Sequence, residues 1–306
     1  MRNKFRIYLK RSIKSLFSHY LKEQWLFDIQ SKIKSIIFGI GLSRVIIRNT
    51  FRINFKINSK SVIKNIFRNY LNEHGLFDIP AHIKNIRFDI GLSWCAPNSG
   101  MWLKNDSSIF VIGVEANKYA AESIKQHGFL IQQENNLQIP FNTQANNYAL
   151  LNVALDNVEN LTKKPFYHMK GDVGVSSLLK PTEALGYNVL ELDDVDVLSL
   201  SMLMDKIDWD RFEYIELVKI DTQGKDLDII KSAKNYLDKI VFLNCEINTF
   251  NHYENNVAPD EYHTYLESMG FEKVLDNSVV NGEVVDVTYI NKKYIHLKDK
   301  INYSVL

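Results

Sequence analysis

The stretch LVKIDTQGKDLDIIKSA at residues 217–233 decides the fold. With the residues just before it, its first part (EYIELVKID, 213–221) is a short apolar run of the kind covered on both faces of a parallel sheet. Thr222, Gln223 and Gly224 turn the chain. Leu227, Ile229, Ile230, Ala233 and Leu237 then line one stripe, which predicts a helix over 225–239. Asp226 and Asp228 stand in its first turn, where the helix dipole favours carboxylates. Strand, turn and helix in this order form the repeating unit of an α/β sheet.

The same unit recurs on both sides. Upstream, residues 86–91 read as a strand ending in a turn, IFVIGVEAN (109–117) as a buried strand, 118–128 as a helix stopped by glycine, and YALLNVALD (148–156) as a further strand. Downstream, IVFLNCEI (240–247) is a strand and 260–269 a helix, and Asn281-Gly282 between apolar runs predicts a closing antiparallel hairpin. The alternation predicts a mostly parallel, doubly wound sheet with helices on both faces. Ligands of such sheets lie beyond the carboxyl ends of the strands. That singles out Asp89 to Gly91, Glu115 to Asn117, Asp156, Asp221 to Gly224 and Glu246.

Ahead of this region the chain repeats itself. Residues 2–43 align without a gap on 52–93 with 22 identities in 42 positions, among them LFDI at 26–29 and 76–79 and IGLS at 40–43 and 90–93. In both copies apolar residues fall at i, i+3, i+4, i+7 and i+8 (from 13 and from 63), which predicts an amphipathic helix followed by a short strand. The second copy ends Phe88-Asp89-Ile90-Gly91 and the first Phe38-Gly39-Ile40-Gly41, without the carboxylate. Residues 1–50 therefore read as a degenerate duplicate, 51–84 as a helical segment and 85–306 as the main domain. Residues 1–60 hold 14 Lys and Arg against Glu23 and Asp28, a balance of +12, which leaves −11 for 61–306 in a chain of net charge +1. Such a basic stretch either touches an anionic surface weakly or is a solvated flank. Aromatic residues are not interleaved with its charges as in a stacking platform, so no nucleic-acid partner is expected.

With 306 residues, 45 % hydrophobic and 24 % charged, the chain has an ordinary globular composition and length enough for a full α/β core. Its two cysteines, Cys95 and Cys245, exclude a disulfide framework and a CxxC pair, and read as packing residues in a reducing, cytoplasmic setting. No apolar run reaches the roughly 18 residues of a membrane helix, and nothing reads as a secretory leader.

The strand ends suit a nucleoside. Gly91 lets a turn bring backbone amides close to a ligand. Glu115, 26 residues after Asp89, stands where a carboxylate accepts hydrogen bonds from ribose, or else simply caps a helix. The turn Gly91-Leu92-Ser93-Trp94-Cys95-Ala96 carries one glycine where G-x-G-x-x-G would cradle a pyrophosphate. A nicotinamide-dependent oxidoreductase on the same sheet is therefore the alternative, and adenosine held by its ribose with a cationic sulfonium near Asp89 fits better. That ligand is S-adenosyl-L-methionine.

The series DIG (89–91), VIGVEAN (111–117), NVALDN (152–157), LVKIDTQGKDLDIIKSA (217–233) and FLNCEI (242–247) resembles the FkbM-type family of S-adenosylmethionine-dependent methyltransferases, over about residues 85–291. The resemblance implies a Rossmann-like class I methyltransferase, an α/β fold with a mostly parallel seven-stranded sheet whose last strand is antiparallel. It implies a cofactor set of Asp89, Gly91, Ser93, Glu115, Asn117 and Asp156, with Asp156 near the adenine. Asp221, Gln223 and Gly224 would face the transferred methyl. The chain departs from the family in the loop 92–98 and in Gln223, where glutamate is commoner.

The implied reaction is O-methylation of a hydroxyl on a sugar, a glycan or a small metabolite, which gains from positioning and from a general base. Asp221 is the first candidate for that base, followed by Glu246 and His252. Glu246 equally suits a partner for a lysine or an amide, and His252 and His168 suit surface loops better than a catalytic role. Residues 171–179, with Gly174, Ser176 and Ser177, read as a mobile substrate loop, so that His168 and Ser176 would meet the acceptor. No metal is expected, although Asp221 and Glu246 together suit a divalent ion. A reading from another class is a non-catalytic, degenerate relative attached through its basic N-terminal copy.

Overall fold

In the computed structural model the chain divides into two units, Met1–Lys60 and Ser61–Leu306. The residues described are 61–127, 129–132, 138–141, 146–248, 251–278 and 284–303. The first copy of the duplication and the Asn281-Gly282 turn lie outside them.

Among the described residues of the second copy, helix runs over 61–66 and ends before the apolar stripe does. Phe67, beyond the helix, still buries edge-on against Phe77, with ring centroids 5.9 Å apart. There follow β1 (Asn85–Ile90), α1 (Pro97–Asn105), β2 (Ile109–Val114), α2 (Lys118–His127), β3 (Phe129–Gln132), β4 (Gln138–Phe141), β5 (Tyr148–Leu151), β6 (Ala154–Leu155), β7 (Thr162–Met169) and β8 (Val189–Leu198). Then come α3 (Leu200–Met204), β9 (Ile215–Ile220), α4 (Asp226–Ser232), β10 (Ile240–Asn248), α5 (Pro259–Ser268), β11 (Phe271–Ser278) and β12 (Val284–Asn291).

Seven strands form the main sheet in the order β5-β2-β1-β9-β10-β12-β11. All run parallel except β12, which is antiparallel to β10 and to β11. The doubly wound expectation and its antiparallel last strand are borne out. β2 and β9 are buried at every position, as strands covered on both faces must be.

Two further elements differ from the sequence reading. The run 148–156 breaks after Leu151, where Asn152 Nδ2 donates to the Glu115 carbonyl (2.7 Å). Ala154 and Leu155 then join β8 and β7 in a separate three-stranded sheet. The helix expected over 225–239 ends at Ser232, whose Oγ donates to the Ile229 carbonyl and accepts from the Leu200 amide. Lys234 takes φ +53° and the chain continues as 3₁₀ helix over Lys234–Lys239. The stripe itself holds, since Leu227, Ile229, Ile230, Ala233 and Leu237 are all buried.

From β1 the chain builds outward to β2 and β5, then returns to place β9 on the other side of β1. The carboxyl ends of β1 and β9 thus flank the switch point, where such sheets bind ligands. They are tied together there by the Asp221 amide, which donates to the Ile90 carbonyl (2.9 Å).

Candidate active site

Gly91 makes this junction possible. It has φ +82°, and a Cβ would stand 1.7 Å from the Asp221 carbonyl oxygen. Asp89, at the end of β1, is 1 % exposed. Its Oδ2 accepts from the Ser99 amide (2.9 Å) and hydroxyl (2.6 Å) in the first turn of α1. Its Oδ1 has no hydrogen-bond partner and lies 3.6 Å from Lys219 Nζ. Burial raises the Asp89 carboxyl above the usual aspartate range, against the pull of Lys219. Glu115, just past β2, accepts from the Leu92 amide (2.9 Å) and the Asn117 amide (2.6 Å). Burial pushes it up to about 7 in spite of those bonds and of one from the Ser93 amide. One carboxylate therefore gathers the β1 turn and the start of α2. With about four acceptor positions and three donors, it keeps one for a ligand.

Across the junction β9 delivers Asp221, and the turn after it holds Gln223 at φ +57°. Gln223 Nε2 donates to Asp221 Oδ1 (3.0 Å) and to Glu246 Oε2 (2.7 Å). Its Oε1 accepts from the Tyr253 hydroxyl (3.1 Å) and its carbonyl from Ser177 Oγ (2.8 Å). These bonds keep a residue with a side chain in the left-handed region, a strain often found at functional sites. The Gln223 amide thus bridges Asp221 and Glu246. Asp226 is fully buried and accepts from the Thr222 amide (3.0 Å) and hydroxyl (2.6 Å) and from the Glu246 amide (3.0 Å). Burial pushes Asp226 up to about 7.

Glu246 pairs in register with Asp286 on β12. Burial first, and then the charges of Asp221, Asp226 and Asp286, raise Glu246 well above the usual glutamate range. Burial and Asp221 push Asp286 up to about 6. Lys219 faces this group from within β9, where it donates to the Gly91 carbonyl (2.9 Å) and stands 3.3 Å from Asp221 Oδ2. Burial works against its charge, but Asp221 and Asp89 outweigh that and hold the ammonium above the ordinary lysine value. The Asp221 side chain is 35 % exposed. An accessible carboxylate whose Oδ1 is oriented by an amide donor is a group able to take a proton from a bound hydroxyl.

The sequence-predicted residues fall into two groups. Asp89, Gly91, Ser93, Glu115 and Asn117 come together at the ends of β1 and β2, and Asp221, Gln223, Gly224 and Glu246 at the ends of β9 and β10. Ser176 and Ser177 join them: Ser176 Oγ accepts from Asn117 Nδ2 (3.2 Å) and the Met169 amide (3.1 Å), while Ser177 bonds Gln223. The segment 171–179, expected as a mobile loop, is thus pinned from both sides, with a further bond from the Tyr253 hydroxyl to the Val175 carbonyl (2.8 Å). The Asp156 carboxylate, expected near an adenine, is held by Lys164, by Lys225 (3.0 Å) and by the Asn157 amide. Burial opposes its charge and the two lysines override it, so its pKa is lowered. His168 is no surface residue: it is 1 % exposed on β7, with Nε2 2.7 Å from Asp193 Oδ1 and its ring edge-on to Phe166 and Tyr119. His252 lies beside Tyr253, and its carbonyl accepts from the Thr182 amide (2.9 Å). The sequence reading missed Tyr253, the buried role of Asp226, and Lys219. For Lys219 a signal existed, because a charge inside a strand buried on both faces has to be paired.

A seven-stranded sheet with one antiparallel strand next to the edge, carrying acids at the ends of its first two strands, is the class I methyltransferase architecture. Residues 94–273, more than half of the chain, match the Methyltransferase FkbM domain. The chain belongs to the FkbM methyltransferase family, whose methyl donor is S-adenosyl-L-methionine. Similar solved structures include an antibiotic-related methyltransferase, with 11 % identity, a TM-score of 0.32, and 68 % of this chain and 88 % of that one covered. The N-terminal domain of human METTL16 in complex with SAH shows 9 % identity and a TM-score of 0.32, with 76 % and 69 % covered. A SAM-dependent methyltransferase from Aquifex aeolicus shows 9 % identity and a TM-score of 0.31, with 69 % and 85 % covered. These likenesses are distant, and membership rests on the domain match. No curated protein matches the chain.

The residues present fit the donor. Asp89 Oδ1 is a buried acceptor with no hydrogen-bond partner, and Glu115 keeps an acceptor position at the mouth of β2.

Proposed function

We propose that the protein is an S-adenosyl-L-methionine-dependent O-methyltransferase acting on a hydroxyl of a sugar, a glycan or a small metabolite. The observation that carries this reading is the group of carboxylates opposite Asp89 and Glu115, where the Gln223 amide joins Asp221 to Glu246 and Asp286 pairs in register with Glu246. When bound, the donor supplies an electrophilic methyl group on a cationic sulfur. Asp89 would hold its amino-acid end and Glu115 its ribose.

On the other side Asp221 takes the proton of the acceptor hydroxyl, and the Gln223 amide, which donates to both Asp221 and Glu246, holds the two carboxyl groups in place. The Gln223 amide also fixes the direction in which Asp221 Oδ1 points. The segment around Ser176 and the buried Tyr253 support Gln223 from behind, through Ser177 Oγ and the Tyr253 hydroxyl. Cys95 and Cys245 are free thiols, which supports placing the reaction in the reducing cytoplasm. Among the described residues no helix is long and apolar enough to cross a membrane.

The test is transfer of labelled methyl from S-adenosylmethionine to a panel of free sugars, oligosaccharides and small hydroxylated or aminated compounds. Label is expected in hydroxyl compounds, reduced by Asp221→Asn about 10²-fold or more. Label confined to amines, or none from a protein that binds the donor, overturns the reading.

A further inference from the structure

Lys219 is the charged group of the site that the proposed chemistry leaves without a task. Its side chain is 7 % exposed, and it sits in a strand whose every residue is buried. Three groups from the two sides of the switch point surround its Nζ: the Gly91 carbonyl at 2.9 Å, Asp221 Oδ2 at 3.3 Å and Asp89 Oδ1 at 3.6 Å. The ladder between β1 and β9 sets this placement, because Asp89 and Lys219 are register partners. Ordering and desolvating a lysine side chain both cost free energy, so a buried lysine is kept only where several groups engage it.

We propose that Lys219 is a positioning residue for methyl transfer: by bridging Asp89, the Gly91 carbonyl and Asp221, its ammonium meets the donor-side carboxylate with an opposite charge and holds it at a fixed separation from the acceptor-side carboxylate. The proposal rests on the reading of Asp89 as the group that holds the cationic amino-acid end of the donor.

The charged groups that face Lys219 are Asp89 from β1, Glu115 from the end of β2, Asp221 from its own strand, Glu246 from β10 and Asp286 from β12. Asp89 in turn faces Lys219, Asp221, Cys95, Tyr148 and the Ser99 hydroxyl. Without the ammonium, burial and the Asp221 charge both favour the protonated form of Asp89. A neutral Asp89 no longer attracts an amino group that carries positive charge.

The test titrates the full chain with S-adenosylhomocysteine by calorimetry at about pH 6 and about pH 8.5, within the stability range of most proteins, with circular dichroism to verify the fold. Lys219→Gln keeps a donor for the Gly91 carbonyl and drops the charge, whereas Lys219→Arg keeps the charge. Relative to wild type at the same pH, Lys219→Gln is expected to bind about tenfold more weakly at the lower pH and with a smaller deficit at the higher one, because the loss follows protonation of Asp89. Lys219→Arg is expected to stay within about threefold at both. An equal loss at the two pH values, or no loss, overturns the proposal. Absence of binding by the wild type overturns instead the donor-site reading on which it rests. Should Lys219→Gln not fold, Asp89→Asn/Lys219→Met removes both partners, the gentler change for a buried pair. It is expected to fold and to bind with a pH-independent deficit, and its failure to fold overturns the proposal as well.

Discussion

The two sides of the cleft hold their carboxylates in opposite ways. At the ends of β1 and β2, Asp89 and Glu115 are met by donors fixed in the backbone and by Ser99, so each is oriented before any ligand arrives. At the ends of β9 and β10, Asp221, Glu246 and Asp286 face one another, with the Gln223 amide and Lys219 between them. The first arrangement suits recognition, since preorganised acceptors lose little on binding. The second stores proton affinity, which suits chemistry. Changes on the first side should therefore be read in binding, and changes on the second in turnover and in pH dependence.

The change expected to have the largest effect breaks both sides at once. Gly91→Ala puts a Cβ into the Asp221 carbonyl at a positive φ, and a loss of about 3 kcal/mol or more in thermal or denaturant unfolding is expected. On the donor side alone, Glu115→Gln should weaken S-adenosylhomocysteine binding by about 2 kcal/mol, some thirtyfold, in calorimetry. Asp286→Asn sharpens the acceptor side. The folded-state value of Asp286, about 6, lies above that of the unfolded chain, so its contribution to stability is intact below about pH 4 and is lost as the pH rises through about 6. The variant should gain about 1–2 kcal/mol over wild type at pH ~7.5 and nothing near pH ~4 in denaturant titrations. The smallest effect belongs to Tyr253→Phe, which loses its bonds to Gln223 and Val175. It should cost about 1 kcal/mol of stability and slow methyl transfer, with S-adenosylhomocysteine affinity within about twofold of wild type.

The same contrast governs what could be read from the sequence. The sheet was legible because its strands are nearly continuous apolar runs and because the Leu227 to Leu237 stripe marks a helical face, patterns imposed by burial that need no knowledge of distant partners. The grouping of Asp89, Gly91, Glu115 and Asp221 followed, since strand ends in a doubly wound sheet converge by topology. What stayed hidden depends on contacts between residues far apart in the chain. Asp156 is neutralised by Lys225 across the fold, His168 is buried on β7 with Asp193 of β8 as its partner, and the segment around Ser176 is pinned by Asn117 and Gln223. The fit of Asp226 to the Glu246 amide is likewise a tertiary contact, where local reading saw a helix dipole. Lys219 lies between the two cases: its pairing was implied by burial, but its partners were not.

The most direct measurement is calorimetric titration of the full chain with S-adenosyl-L-methionine and S-adenosylhomocysteine, alongside Asp89→Asn and Glu115→Gln. The prediction is binding at one site with a dissociation constant on the order of micromolar, weakened at least about tenfold in each variant. A folded wild type that binds neither compound, or variants that bind both as tightly as wild type, would contradict the account.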